Sequence, residues 1–265
     1  MKLLLTFLLA ACFSVASLTA QTTFQPRKLS NDRKGVVYDK EVVSDFRLNT
    51  NSGWSFGVAW GDVKTYYLTR FYYVNFGELK HIKEFRDGTL NSSYGSYIFG
   101  KQNNFYVFRT GIGEKRYFSE KDRKKGVAVG VSYRVGPTLG LLKPYYLNIS
   151  PLESPIRGPF PYSRPTKYSA QTSDDFLDKN KITGTSGFTT GWGELKPQLG
   201  GNIMGSVHFD WGAYDEFVKA MEIGIMADFY LDKVPILVES PTLNNVQNRP
   251  FFVNLFVNFQ LGKRN

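Results

Sequence analysis

The chain has very few of the residues that usually carry catalysis or bind metals. Among 265 residues there is one cysteine, Cys12, and there are two histidines, His81 and His208. One cysteine excludes an intrachain disulfide and a cysteine zinc site, and two histidines are too few for a three-histidine metal site. The H-E-x-x-H and phosphate-binding P-loop motifs are also absent. We therefore expect no cofactor, no metal and no enzymatic activity.

Long apolar runs are missing after the first twenty residues, which excludes a transmembrane helix there. The first twenty have the features of an export signal: Lys2, an apolar stretch over 3–11 and a small-residue cleavage pattern at 18–20. Residues 21–35 would then form a periplasmic segment. In an alternative interpretation, residues 9–12 are a lipobox and Cys12 carries a lipid.

Aromatic residues and glycine are abundant. Phe, Tyr and Trp make 16% of the chain, which has 25 glycines and a formal charge of +10. This composition in an exported chain without an apolar helix is typical of a barrel in the outer membrane of a Gram-negative bacterium. A basic charge can also indicate nucleic-acid binding, but export argues against nucleic acid as a partner.

Apolar residues recur with a period of two along several segments. The clearest is 251–261, where every second residue is apolar and Asn254, Asn258 and Gln260 lie between them. A period of two predicts strands, with apolar side chains facing lipid and small or polar side chains facing a narrow lumen. The residues expected at mid-height of the lipid-facing band are Val129, Val131, Ile223, Ile225, Val253, Leu255 and Val257.

These segments predict an all-β fold, a single antiparallel transmembrane β-barrel over residues 36–262. Ten strands are expected, at 36–48, 53–61, 64–79, 92–100, 103–115, 125–136, 138–149, 197–211, 215–231 and 250–262. The alternative is eight strands, without 92–100 and 36–48. With the first of ten strands running outward, both termini of the chain lie on the periplasmic side. The long external loop 150–196 begins with five prolines in sixteen residues, typical of a stiff extended segment over the barrel mouth or of a passive plug or disordered loop.

Charged residues at inward positions predict a network that closes the lumen. Arg70 is assigned to the interior by charge avoidance rather than by alternation, because a charge facing hydrocarbon is costly. Buried charges persist only when they are paired and hydrogen-bonded, so we expect arginine–carboxylate contacts inside. The members of this predicted network are Asp39, Glu41, Asp45, Arg47, Arg70, Arg109, Arg134, Glu222 and Asp228. His208 and Asp210 also fall on the inward face, where a structural hydrogen bond is a better interpretation than a catalytic pair.

A basic segment at 114–125 lies in a predicted outer connection. Lysine and arginine side chains there would face lipopolysaccharide phosphates, and a solvated loop is the alternative. The residues expected to make such contacts are Lys121, Arg123, Lys124 and Lys125.

Four segments resemble a family of small outer-membrane barrels from Bacteroidota-type bacteria. They are KTYYLTRFYYVNFGELKHIKEFR, SYIFGKQNNFYVFRTGIGEKRYFSEKDRKKGVAVG, GLLKPYYLNI and VHFDWGAYDEFVKAMEIGIMADFY. The resemblance spans residues 35–262 and implies a barrel in the outer membrane. The family has no assigned reaction, so no catalytic residue follows from it. The chain departs from the usual barrel ending, because Gly262-Lys263-Arg264-Asn265 follow the last aromatic residue.

Three functions fit these features. The first is a structural or accessory subunit of an envelope complex, with outer-membrane lipid, lipopolysaccharide and another envelope protein as partners. The second is a narrow channel or transporter for a small solute, and the third is an outer-membrane hydrolase. A barrel of ten strands or fewer usually has its lumen filled by side chains, which favours the first.

The export signal makes a prediction about the mature N-terminus. Mass spectrometry of the protein purified from membranes should find a chain that begins at Gln21, because cleavage follows the small-residue pattern at 18–20. A chain that begins at Cys12 and carries a lipid mass would show that the lipobox interpretation is correct instead.

Overall fold

A computed structural model describes residues 38–51, 53–65, 67–87, 96–118, 126–150, 163–213, 215–240 and 246–265. Its strands are β1 (Lys40–Asn49), β2 (Trp54–Thr65), β3 (Leu68–Leu79), β4 (Arg86–Asp87), β5 (Tyr97–Ile98), β6 (Asn103–Tyr117), β7 (Ala128–Pro144), β8 (Tyr146–Ile149), β9 (Arg164–Lys167), β10 (Ile182–Thr185), β11 (Lys196–Asp210), β12 (Phe217–Tyr230) and β13 (Phe251–Arg264). A short helix, α1, covers Ser173–Phe176, and a 3₁₀ turn covers Trp192–Glu194.

Eight of these strands close into an antiparallel barrel in the order β1-β13-β12-β11-β7-β6-β3-β2. Each barrel strand pairs with the barrel strands before and after it in the chain, and β13 closes the barrel against β1. Closure satisfies the backbone donors and acceptors that an open sheet would leave at its edges. The count matches the alternative of eight, so the expectation of ten strands was wrong. The alternative also omitted 36–48, which was wrong, because β1 lies there and is part of the barrel.

Two local features account for the difference. The segment predicted as strand 92–100 contributes only Tyr97–Ile98, which pairs with Arg86–Asp87 outside the barrel. The expected turn at Gly136-Pro137 lies inside β7 instead. On β6, Thr110 and Gly111 lie opposite Pro137 and Gly136. These two positions are unpaired in the β6–β7 ladder, although the register is the same on either side of them. Proline is tolerated at 137 because no ladder hydrogen bond to β6 is needed there. Glycine at 111 and 136 is needed as well, because a Cβ on Gly136 would lie 1.9 Å from the Thr110 carbonyl oxygen.

The count of eight also changes the side on which connections lie. The ends of β6 and β7 that flank residues 118–127 are at the same barrel end as Lys40 and Arg264. We call this the terminal end, and the opposite end, which has the connections 50–53, 80–102, 145–195 and 231–250, the loop end. The basic connection was expected opposite the termini, which was wrong. Lys121, Arg123, Lys124 and Lys125 lie outside the described residues, and their contact with lipopolysaccharide stays a prediction.

The loop end has a small folded region of its own. β10, β8 and β9 form a three-stranded sheet, and Leu147, Ile149, Phe176 and Ile182 pack with Tyr97 in its apolar cluster. Most of the proline-rich stretch, and the N-terminal 1–35, lie outside the described residues. Within the described ranges, no helix is long and apolar enough to cross a membrane.

The outer face of the barrel is apolar over most of its height. One cross-strand row joins Val131, Val207, Ile223 and Val257 on four neighbouring strands. The residues expected on the outer face all point outward, alternating with buried neighbours: Val129, Val131, Ile223, Ile225, Val253, Leu255 and Val257. Val129 is the second residue of β7 and therefore lies near the terminal end rather than at mid-height.

A charge on this face tests whether it lies in hydrocarbon. Leu255, which is 55% exposed in β13, changed to arginine should lower the free energy of unfolding by about 2–4 kcal/mol in lipid vesicles, because a guanidinium near the midplane loses its hydration. Chemical denaturation of the reconstituted barrel measures this loss. Leu231→Arg is the matched control, because Leu231 follows the end of β12 and should lose little. Equal losses would show that the face does not lie in hydrocarbon.

Candidate functional site

The barrel interior contains most of the charged residues that the sequence assigned to it. The following lie inside the wall and are at most 5% exposed: Glu41, Asp45, Arg47, Arg109, Arg134, Glu222 and Asp228. The inward amides Asn254 and Asn258 are buried with them. They point inward because the β13 side chains alternate between the apolar outer face and the polar interior.

Two residues of the predicted network lie elsewhere. Asp39 precedes β1 and is exposed. Arg70 faces outward, because Thr69 and Phe71 beside it are buried and successive side chains of a strand alternate. Its side chain is 64% exposed, and its Nε donates to Glu114 Oε2 at 3.0 Å. The expectation that Arg70 points inward to avoid hydrocarbon was wrong. An outward arginine near the end of a strand can instead pair with a carboxylate on the neighbouring strand, as Arg70 does with Glu114.

Nearest the loop end, Arg109 and Asp228 form a bidentate ion pair. Arg109 Nε donates to Oδ1 of Asp228 at 2.7 Å and Nη2 to Oδ2 at 3.0 Å, with both side chains fully buried. This fork geometry is the strongest form of arginine–carboxylate contact. The pair connects β6 to β12, which are not neighbours in the barrel, and therefore braces opposite parts of the wall.

At mid-height Arg134 is shared by two carboxylates. Its Nη1 donates to Asp45 at 3.0 Å and its Nη2 to Glu222 at 2.7 Å. The Asn258 amide also donates to both carboxylates, at 3.0 and 2.9 Å, and Gln260 donates to Asp45 at 2.7 Å. The amides of β13 therefore satisfy carboxylate oxygens that a single guanidinium cannot saturate.

At the terminal end, residues outside the predicted network complete the interior. Lys115 donates to Glu41 at 2.6 Å, and Arg264 donates to Glu41 at 2.8 Å and to Asp210 at 2.9 Å. Lys115 lies an even number of residues from the inward Arg109 on β6, and Arg264 lies an even number from the inward Asn258 on β13. Both side chains therefore point inward. The same alternation predicts both residues once the ends of β6 and β13 are extended to Tyr117 and Arg264.

His208 is part of this network and is fully buried. Its Nδ1 lies 3.2 Å from Glu222 Oε1 and its Nε2 lies 3.3 Å from the Tyr117 hydroxyl, which donates to Asp210 at 2.7 Å. His208 Nε2 and Asp210 Oδ2 are 4.0 Å apart, so the Tyr117 hydroxyl links these two residues and they make no direct hydrogen bond. Ser55 fits the G-x-S-x-G spacing at 53–57, but it is a buried residue inside β2 rather than a nucleophile at a strand-to-helix turn.

The buried charges inside the described wall balance. The five cations are Arg47, Arg109, Lys115, Arg134 and Arg264, and the five carboxylates are Glu41, Asp45, Asp210, Glu222 and Asp228. Arg47 is the member without an ion pair to a described residue: its guanidinium lies 4.8 Å from the centre of the Phe256 ring and 3.3 Å from Met204 Sδ. Arg134 contacts two carboxylates, and the positive charge of Arg47 balances the second one. Asp45 and Arg47 are two residues apart on β1, so their side chains lie on the same inward face.

An apolar plug fills the barrel toward the loop end. Val234, Ile236, Leu237 and Val246 of the β12–β13 connection are buried in one cluster with wall residues that include Phe105. Toward the terminal end, a void bordered by Phe71, Lys115, Arg134 and Glu222 measures about 10 Å³, the room that one water molecule needs. The described interior thus offers ion pairs and packed rings, and it contains no group of three His, Cys, Asp or Glu residues that could hold a metal.

No known protein family and no curated protein matches the sequence. Similar solved structures include Ail, the attachment invasion locus protein of Yersinia pestis, with 7% identity and a TM-score of 0.37 over 86% of this chain and 99% of that chain. The N-terminal β-barrel domain of Pseudomonas aeruginosa OprF has 9% identity and a TM-score of 0.32 over 84% and 97%. Neisserial surface protein A has 7% identity and a TM-score of 0.32 over 85% and 93%. Likeness at this level identifies no function, and a Bacteroidota-type origin stays a prediction.

Breaking the Arg109–Asp228 pair should destabilise the barrel. Arg109→Met leaves the Asp228 carboxylate buried without its counter-charge and should cost about 3–5 kcal/mol of unfolding free energy. Arg109→Met/Asp228→Leu removes both charges and should recover most of that loss. The control is Lys263→Met in the exposed Lys263–Glu216 pair, whose atoms are 3.1 Å apart, and it should cause little change. Denaturant titration measures the free energy of unfolding of each variant. A loss for Arg109→Met no larger than that for Lys263→Met would contradict the prediction.

Proposed function

We propose that the chain is an integral barrel of the Gram-negative outer membrane that serves as a non-enzymatic structural or accessory subunit of an envelope complex. The observation that carries this proposal is a barrel whose outer face is apolar and whose interior is closed by paired charges. A soluble barrel would bury its apolar residues inside, whereas a membrane barrel places them outside.

The height of the apolar face supports membrane embedding. In β13 the outward residues from Phe251 to Leu261 are all apolar, and all but Val257 are strongly exposed. Ten residue steps cover about 34 Å along a strand, or about 26 Å along the barrel axis at a tilt of about 40°. This agrees with the apolar band of about 25 Å that outer-membrane barrels present to lipid.

The connections support an orientation with the terminal end in the periplasm. At the terminal end, the turns span residues 66–67 between β2 and β3 and 211–216 between β11 and β12, and the β6–β7 connection spans 118–127. At the loop end, the connections 80–102, 145–195 and 231–250 are much longer. Outer-membrane barrels have short periplasmic turns and long external loops, so the loop end would face outward.

The interior favours a structural role over transport or hydrolysis. Ion pairs occupy the lumen from Glu41 to Arg109, and Val234, Ile236, Leu237 and Val246 of the β12–β13 connection pack at the loop end. His208 is fully buried among Glu222, Asp210 and Tyr117, so a substrate would have to displace the network to reach it.

The loop end offers a surface for a protein partner. Ile82 and Phe85 of the β3–β6 connection are each 78% exposed, although neither belongs to the barrel wall. A contiguous apolar surface that is exposed outside a membrane band marks an interaction site. We therefore infer that the partner binds this connection.

A pull-down from detergent-solubilised outer membranes tests the accessory role. The full-length tagged barrel should retain a stoichiometric envelope protein, and Ile82→Asp/Phe85→Asp should lose that protein because the contact is apolar. The control is Lys64→Asp/Lys263→Asp at the terminal end, which should retain it. A barrel that is purified without any stoichiometric partner, in wild type and control alike, would contradict an accessory function.

A further inference from the structure

A polar cleft lies at the loop end on the outside of the barrel wall. Its wall residues include Glu78 on β3, Tyr106 on β6 and Lys143 on β7. Each faces outward, because the neighbours Leu79, Val107 and Leu142 are buried in the interior cluster. The cleft therefore opens beside the barrel and not into its lumen.

Aromatic rings place this cleft at the boundary of the apolar band. The Phe76 and Tyr106 rings stack with centroids 6.0 Å apart, and the Tyr106 and Trp192 rings stack at 5.8 Å. Trp192 comes from the β7–β11 connection, which folds back against the wall at this point. Rows of aromatic side chains lie at the membrane–water interfaces of outer-membrane barrels, so the cleft is level with lipid headgroups.

The cleft has an excess of positive charge. Among the described residues that border it, four are cations, Lys80, Arg86, Lys101 and Lys143, and one is a carboxylate, Glu78. Burial raises the pKa of the bordering Tyr145, so this phenol stays neutral and adds no negative charge.

Two of these cations have no carboxylate partner among the described residues. Lys101 pairs with Glu84, and Lys80 Nζ is 3.9 Å from Glu78. The Lys143 ammonium is instead buried, donates to the Phe188 carbonyl and lies 4.5 Å from the centre of the Phe188 ring. Arg86 is exposed at the cleft. The Trp192 ring centre is also 5.1 Å from the Lys143 ammonium. These contacts hold the Lys143 ammonium but do not neutralise its charge, which favours an anionic ligand here.

We propose that this cleft binds the phosphorylated headgroup of an outer-leaflet lipid. A phosphate offers several acceptor oxygens to the Lys143 ammonium and the Arg86 guanidinium. The cleft volume of about 400 Å³ accommodates a phosphorylated sugar but not acyl chains. The chains would lie along the apolar wall below, against the exposed rings of Phe76 and Phe108. The inference rests on the proposed membrane embedding with the loop end outward.

Native mass spectrometry of the full-length barrel released from micelles tests the assignment. The probes are bisphosphorylated lipid A, the same lipid without phosphates, and inorganic phosphate. The wild type should retain one bisphosphorylated lipid, and Arg86→Glu/Lys143→Met should weaken retention about tenfold or more, because two charge-assisted contacts are lost. Lys263→Glu/Lys64→Met changes the net charge equally at the terminal end and should retain the lipid like the wild type.

Three outcomes would overturn the inference. The first is equal retention by the cleft variant and the control, and the second is equal binding of the lipid without phosphates. The third is competition by inorganic phosphate at the affinity of the lipid, which would assign the cleft to a free anion. Insertion into vesicles is measured in parallel by gel electrophoresis, because a folded barrel migrates differently before and after heating. A barrel that inserts but retains no phosphorylated lipid refutes only this assignment, whereas a barrel that fails to insert refutes the proposed function.

Discussion

Charge pairing inside the wall is the constraint on which the rest of the structure depends. An eight-stranded barrel has an interior just wide enough for side chains, so inward charges lose most of their water. Arg109 with Asp228 and Arg134 with Asp45 and Glu222 meet that loss through direct hydrogen bonds between strands that are not neighbours. The same contacts that neutralise the interior therefore hold the wall in one closed shape.

The two ends of the interior are closed by different means. Toward the terminal end, Glu41, Lys115, Asp210 and Arg264 form an ion-pair network close to the chain end, so the last residues of β13 take part in closure. Toward the loop end, an apolar plug from the β12–β13 connection replaces charges. Function is consequently expected at the outer surface and at the loop end rather than along the barrel axis. There the described residues include exposed apolar side chains and cations without a described carboxylate partner.

Alternation alone predicted the inward position of residues on the long strands, because each side chain's face depends only on its parity within the strand. The prediction for Arg70 failed because charge avoidance overrode the parity, which correctly places Thr69 and Phe71 inside and Arg70 outside. Prediction from the sequence also failed at strand ends. A Gly-Pro dipeptide normally marks a turn, but the two glycines at 111 and 136 let β6 and β7 approach closely enough for Pro137 to lie within a strand. The partner of each buried charge could not be predicted, since Arg109 and Asp228 are 119 residues apart and meet only through barrel closure.

Conductance of the purified full-length barrel in a planar lipid bilayer tests most directly whether paired charges and the plug close the interior. Gel electrophoresis of protein recovered from the same preparation verifies that it is folded, because heating changes the electrophoretic mobility of a folded barrel. A closed interior predicts no reproducible ion-conducting steps at any applied voltage that the bilayer tolerates. Steps of constant size that scale with salt concentration would show a continuous water-filled passage and would contradict closure by Arg109, Arg134 and their carboxylates.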